Sequence, residues 1–77
     1  MIANTYIVRN PDILLGKPTI RGTRIAVELI VRKMANGYTV DTLLEEYPHL
    51  QKAQIFAALE FAASMVANEE ILEVAAA

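Results

Sequence analysis

The chain contains no cysteine and a single histidine, His49, in 77 residues. The first absence excludes a disulfide framework, and the second leaves no ligand set for a structural zinc. No charge-free run exceeds eight residues, so no segment reads as a transmembrane helix and no membrane partner is expected. The opening Met1-Ile2-Ala3-Asn4-Thr5-Tyr6 lacks the basic start and apolar core of a signal peptide, so a cytoplasmic location is expected. Internal repeats, low-complexity tracts and interdomain linkers are absent. Catalytic groupings are absent as well. Glu45 and Glu46 are adjacent and diverge on a helix, and Ser64 has no histidine to activate it. Neither an active site nor a cofactor is expected.

Seventy-seven residues make one domain near the lower size limit for a self-sufficient core. At this length a core rarely supplies more than roughly 3–5 kcal/mol. Yet 55% of the residues are hydrophobic, an excess that points to self-association as a dimer or larger, or to a permanent partner. The net charge of −2 is unevenly spread. Residues 1–40 carry six cations against Asp12 and Glu28, a balance of +4. Residues 41–77 carry Lys52 against seven carboxylates, a balance of −6. A basic first half can meet phosphate and an acidic second half a basic protein. The plainer alternative is ordinary solvated surface, and an acidic pI does not favour nucleic-acid binding by itself.

The densest local signal is Gly16-Lys17-Pro18-Thr19-Ile20-Arg21-Gly22-Thr23-Arg24-Ile25. It is not a P-loop: Pro11 stands where that motif needs a glycine, and Pro18 where it needs Ser or Thr. Pro18 biases its surroundings toward extended geometry, Thr19 and Ile20 are β-formers, and Gly22 suits a turn. The pattern predicts a strand, a turn and a short extended piece feeding a helix near Ala26. Tyr6-Ile7-Val8-Arg9 is the expected partner strand. Asn10-Pro11-Asp12 is a turn, and Ile13-Leu14-Leu15 is expected to pack onto the core as a loop or a single helical turn.

Three helices should follow. Val27, Ile30, Val31 and Met34 form one face of a helix over 26–36, and Gly37 is its natural left-handed cap. Thr39 caps a short second helix carrying Val40, Leu43, Leu44 and Tyr47, and Pro48 stops it. The third runs over about 51–66, with Ile55, Leu59, Ala62 and Val66 as its main stripe and Phe56, Ala63 and Met65 widening it. Gln51 is a poor N-cap, so fraying is expected there. Residues 69–77 form an acidic-apolar tail, either one more helix or loose. The expected organisation is a β-hairpin arm over 1–25, a three-helix core over 26–66 and a tail over 67–77. The fold class is mostly α: a trihelical, homeodomain-like helix-turn-helix core with a short N-terminal β-hairpin. Gly16, Pro18, Gly22 and Gly37 are its structural positions.

This order of markers resembles DUF433, a family of small bacterial and archaeal proteins. The resemblance runs over about 7–63 and rests on Asn10-Pro11, the Gly16–Ile25 stretch, Gly37-Tyr38-Thr39, Leu43 to Leu50 and Ile55 to Leu59. It implies a helix-turn-helix domain with an N-terminal hairpin. It also implies kinship with antitoxins of type II toxin-antitoxin pairs, encoded beside PIN-like nuclease toxins. Two other readings stay open: a stand-alone helix-turn-helix transcriptional regulator, and a homo-oligomeric interaction module that binds no DNA.

Residue by residue, the start of the third helix would offer Gln51, Lys52 and Gln54 to base edges of an operator. Arg21 and Arg24 flank a turn that could hold a phosphate or carboxylate. Alternatively, the role is structural, with Arg24 pairing with Glu28 four residues on or capping a neighbouring carbonyl. For the toxin, the candidate contact is the tail, with Ile71 and Leu72 as apolar anchors among Glu69, Glu70 and Glu73. The alternative is that the tail packs on its own dimer.

Overall fold

A computed structural model describes the backbone of residues 5–76 and the side chains of 5–67. Two short strands, β1 (Ile7–Arg9) and β2 (Pro18–Ile20), pair antiparallel with Ile7 opposite Ile20 and Val8 opposite Thr19. Three helices follow: α1 (Val27–Ala35), α2 (Val40–Glu46) and α3 (Lys52–Ala76). The expected trihelical core with an N-terminal hairpin is the fold observed. Ile7, Ile20, Val27, Ile30, Leu43, Leu50, Ile55 and Ala58 form one buried cluster to which every one of these elements but the loops contributes. A two-stranded hairpin is marginal alone, and this one is held by Ile7 and Ile20 lying in the helical core.

The loop between the strands departs from expectation. Ile13-Leu14-Leu15 was expected on the core, but Leu14 is 41% and Leu15 97% exposed. Residues Leu14–Gly16 form a single tight turn in which Leu14, Leu15 and Gly16 all have positive φ, at 49°, 57° and 81°. A left-handed residue other than glycine costs roughly 1–2 kcal/mol. The turn is closed by Gly16 and Lys17 donating their N–H groups to the carbonyls of Ile13 and Leu14. The reversed backbone hand points Leu15 outward.

α1 ends as its sequence requires. Gly37 has φ 101°, the Gly37 N–H donates to the Met34 carbonyl and the Tyr38 N–H to the Lys33 carbonyl. These two bonds make a Schellman cap. Lys33 stays in it: its ammonium lies 4.7 Å from the Tyr38 ring centroid and 2.9 Å from a Glu46 oxygen, tying the end of α1 to the end of α2. That carboxylate hydrogen bond, against a smaller desolvation cost, raises the Lys33 pKa above its ordinary value. α2 starts at a reciprocal box. The Thr39 hydroxyl accepts from the Thr42 N–H at 3.1 Å, and the Thr42 hydroxyl from the Thr39 N–H at 2.7 Å. The expected apolar stripes are narrower than predicted, with Val31 and Phe56 exposed while Phe61 packs on the core.

α3 is the main correction. It does not end near Val66; its backbone helix continues to Ala76, so residues 67–76 are not a separate tail. No proline or glycine follows Pro48 to stop it, and Ala, Glu and Leu are strong helix formers. Its start is also firmer than expected, because the Gln54 side-chain oxygen accepts from the Gln51 N–H at 2.7 Å.

Two stability outcomes follow from this packing. A Cβ at Gly37 would meet nothing within 4 Å, so Gly37→Ala is a backbone test alone. It should lower stability by about 1–2 kcal/mol in urea unfolding, and Gly37→Val by more. Thr19 is fully buried and its hydroxyl has no hydrogen-bond partner. Leaving a buried hydroxyl unpaired costs about 1–3 kcal/mol, so Thr19→Val should raise the melting temperature. A lower one would mean that the hydroxyl is paired in solution.

Candidate nucleic-acid and partner interface

The Gly16–Ile25 stretch builds a closed turn rather than an open loop. Its centre is Thr23, which sequence reasoning did not single out. The Thr23 hydroxyl donates to the Ile20 carbonyl at 2.7 Å and accepts from the Ile25 N–H at 3.0 Å. The Thr23 N–H donates to the same Ile20 carbonyl, and the Ile20 N–H to the Ile25 carbonyl. Gly22, with φ 80°, supplies the reversal. Thr19 then bridges to Ala26, so the extended piece expected before α1 runs antiparallel to β2. The signal for Thr23 was present in the sequence: a hydroxyl residue in a glycine turn competes well for local backbone groups.

The cations of the stretch separate into three environments. Arg21 is partly structural, since its Nε donates to the Thr5 carbonyl at 2.7 Å and its N–H to the Tyr6 carbonyl. Lys17 and Arg32 share Glu28, at 2.9 and 3.3 Å. Hydrogen bonds from Lys17 and then Arg32 hold the Glu28 carboxyl below the usual carboxylate range. The Glu28 carboxylate is therefore not taken by Arg24, as one reading of the sequence had it. Arg24 is exposed and makes no ion pair among the described residues. It is the cation of this stretch most available to an anionic partner. Pro18 opens β2, opposite Arg9, and Gly16 ends the tight turn before it.

The expected base-reading group is split. Gln54 spends its oxygen on the cap of α3, whereas Gln51 and Lys52 are exposed at the helix start. No hydrogen bond or ion pair joins them to the Arg21–Arg24 turn among the described residues. Glu69, Glu70, Ile71, Leu72 and Glu73 lie on the last turns of α3, with side chains outside the described residues. A shallow, open depression lined by Asn36, Gly37, Tyr38, Thr42, Glu45 and Glu46 lies beside the Schellman cap. Among the described residues no group of three His, Cys, Asp or Glu is placed to hold a metal, and no helix is long and apolar enough to cross a membrane.

Comparison with known proteins gives two matches. "Uncharacterized protein y4eO" of Sinorhizobium fredii is 38% identical over 53 residues, 69% of this chain and 24% of that protein. The chain thus spans about a quarter of that relative's length. No solved structure matches. Residues 7–62 match the family described as "Protein of unknown function (DUF433)", and this span runs from β1 to the last core residue of α3. With its hairpin, its turn, α1, α2 and the core-packed start of α3 inside the match, the chain belongs to the DUF433 family.

Proposed function

We propose that this chain is an antitoxin-like binding protein. Its basic first half contacts operator DNA, and the acidic end of α3 contacts a PIN-like nuclease toxin. The observation that carries this reading is the separation of charge along the chain, +4 over residues 1–40 against −6 over 41–77. The hairpin and its turn present Arg24 and part of Arg21, and α3 continues as helix beyond the core with Glu69, Glu70 and Glu73 in its last turns. A nuclease of this type gathers carboxylates around a metal and needs cations nearby to hold RNA phosphates. An acidic helix can occupy those cations. The antitoxin resemblance of the family members supports the same reading.

On the DNA side, Arg24 and Lys52 contact phosphate and Gln51 a base edge, while Arg21 steadies the arm and Gln54 caps the helix that carries Gln51. The test is binding to a fragment from the gene's own upstream region over a salt series. Arg24→Ala should weaken binding on every sequence and reduce the salt slope by about one unit. Gln51→Ala should instead reduce discrimination between operator and unrelated DNA. Salt-independent binding, or none at low salt, would reject the DNA half of the reading. Co-purification of the neighbouring gene product with Glu69→Gln/Glu70→Gln/Glu73→Gln in place of the natural chain checks the toxin half. Undiminished capture would reject it.

A further inference from the structure

α3 is too long for the domain that it belongs to. Ile55 and Ala58 are fully buried, and Leu59, Phe61 and Ala62 pack against the core. No described residue beyond Ala62 joins that core, yet the helix continues to Ala76. At 1.5 Å per residue, it runs about 21 Å past Ala62, the last core contact among the described residues. The whole helix is about 37 Å long, against a longest dimension of 42 Å for the molecule. Val66 continues the stripe of Ile55, Leu59 and Ala62, but there it has lost its cover: Met65 is 41% and Val66 56% exposed. A helical segment as short as this overhang gains little stability in water without packing, so the overhang calls for something to lie against.

The chain carries complementary surfaces that it cannot bring together by itself. The overhang holds Glu69, Glu70 and Glu73, while the cations are concentrated on the hairpin and α1. A continuous helix leading away from the core cannot return its end to the hairpin. A second molecule can. In an antiparallel pair of α3 helices crossing at positions 65 and 66, Glu70 of one copy falls beside position 61 of the other. Arg9 stands at that place, with its guanidinium 5.8 Å from the Phe61 ring centroid.

We infer that a second copy of this chain covers the overhang in a two-fold dimer. Met65 and Val66 of the two α3 helices pack across the axis, and the acidic last turns of each helix lie along Arg9 and Phe61 of the other copy. A two-fold axis makes the contact isologous, so each ion pair occurs twice and the assembly closes on itself. This inference is independent of the toxin reading and concerns the chain alone. A basic toxin would compete with it for the same helix.

The test is sedimentation equilibrium of the full chain at micromolar concentration, where a mass of twice the 8.5 kDa protomer is expected. Met65→Glu/Val66→Glu should weaken the dimer on the order of a hundredfold with the helical signal retained. Arg9→Glu should weaken it as well, and adding Glu70→Arg should restore it. Because the chain has no cysteine, a cross-link offers a second measurement that does not depend on the fold tolerating a charge. Val66→Cys should form a disulfide across the axis under mild oxidation, and Phe56→Cys, exposed elsewhere on α3, should not. A monomeric natural chain, a dimer that survives Met65→Glu/Val66→Glu, or cross-linking at Phe56→Cys in preference to Val66→Cys would each overturn the inference.

Discussion

One hydroxyl group sets the angle at which the two halves of this protein meet, and the buried cluster of Ile7, Ile20 and the helices then holds them. Thr23 closes the turn between Ile20 and Ile25 by donating to one residue and accepting from the other. That turn sets β2 beside Ile25 and Ala26, and Ala26 is the extended residue from which α1 begins, with φ −71° and ψ 143°. The hairpin therefore arrives on the helices already aligned. Ile20 enters the core from one side of the turn, and Val27 and Ile30 from the other. Arg21 adds a second clamp by fastening the chain at Thr5 and Tyr6 to the same turn. A domain of this size has few kilocalories to spare, so a turn that fixes the register of a strand and the start of a helix outweighs any surface ion pair.

The ion pairs play a smaller part and mostly set the distribution of charge. Lys17, Glu28 and Arg32 form an exposed triad, and such pairs contribute little to stability. Their consequence is partial neutralisation: Glu28 engages two cations, which keep a net charge of about +1, and leaves Arg24 as the unpaired one beside the turn among the described residues. Lys33 differs because it is mostly covered and belongs to a cap. It faces Tyr38, Tyr47 and Glu46 at once, which holds α1 and α2 in their relative places. Charge is thus paired on α1 and between α1 and α2, and left open at Arg24 beside the turn.

Much of this was legible in the sequence, for identifiable reasons. Pro18, Gly22 and Gly37 limit the backbone strongly enough that the strand, the turn and the end of α1 were predictable without contacts. Thr39 was readable as a cap because capping is local. What escaped depends on partners that only folding supplies. Leu15 reads as a core residue until the left-handed turn reverses it into solvent. Gln54 reads as a base-contacting residue until it turns back to the Gln51 N–H. The length of α3 was readable but misread, because Asn68 and the acids after it look like a terminus while nothing there breaks a helix.

The account stands or falls on the Thr23 turn, and urea unfolding of Thr23→Val addresses it directly. Tyrosine fluorescence, reporting on Tyr6, Tyr38 and Tyr47, and helical circular dichroism should be followed together. Removing the hydroxyl orphans the Ile25 N–H and deletes one bond to Ile20. The predicted result is a loss of about 1–3 kcal/mol, with both signals moving to the same lower midpoint and Thr23→Ser close to the natural chain. A midpoint unchanged from the natural protein, or a hairpin lost while the helices persist at full stability, would contradict it.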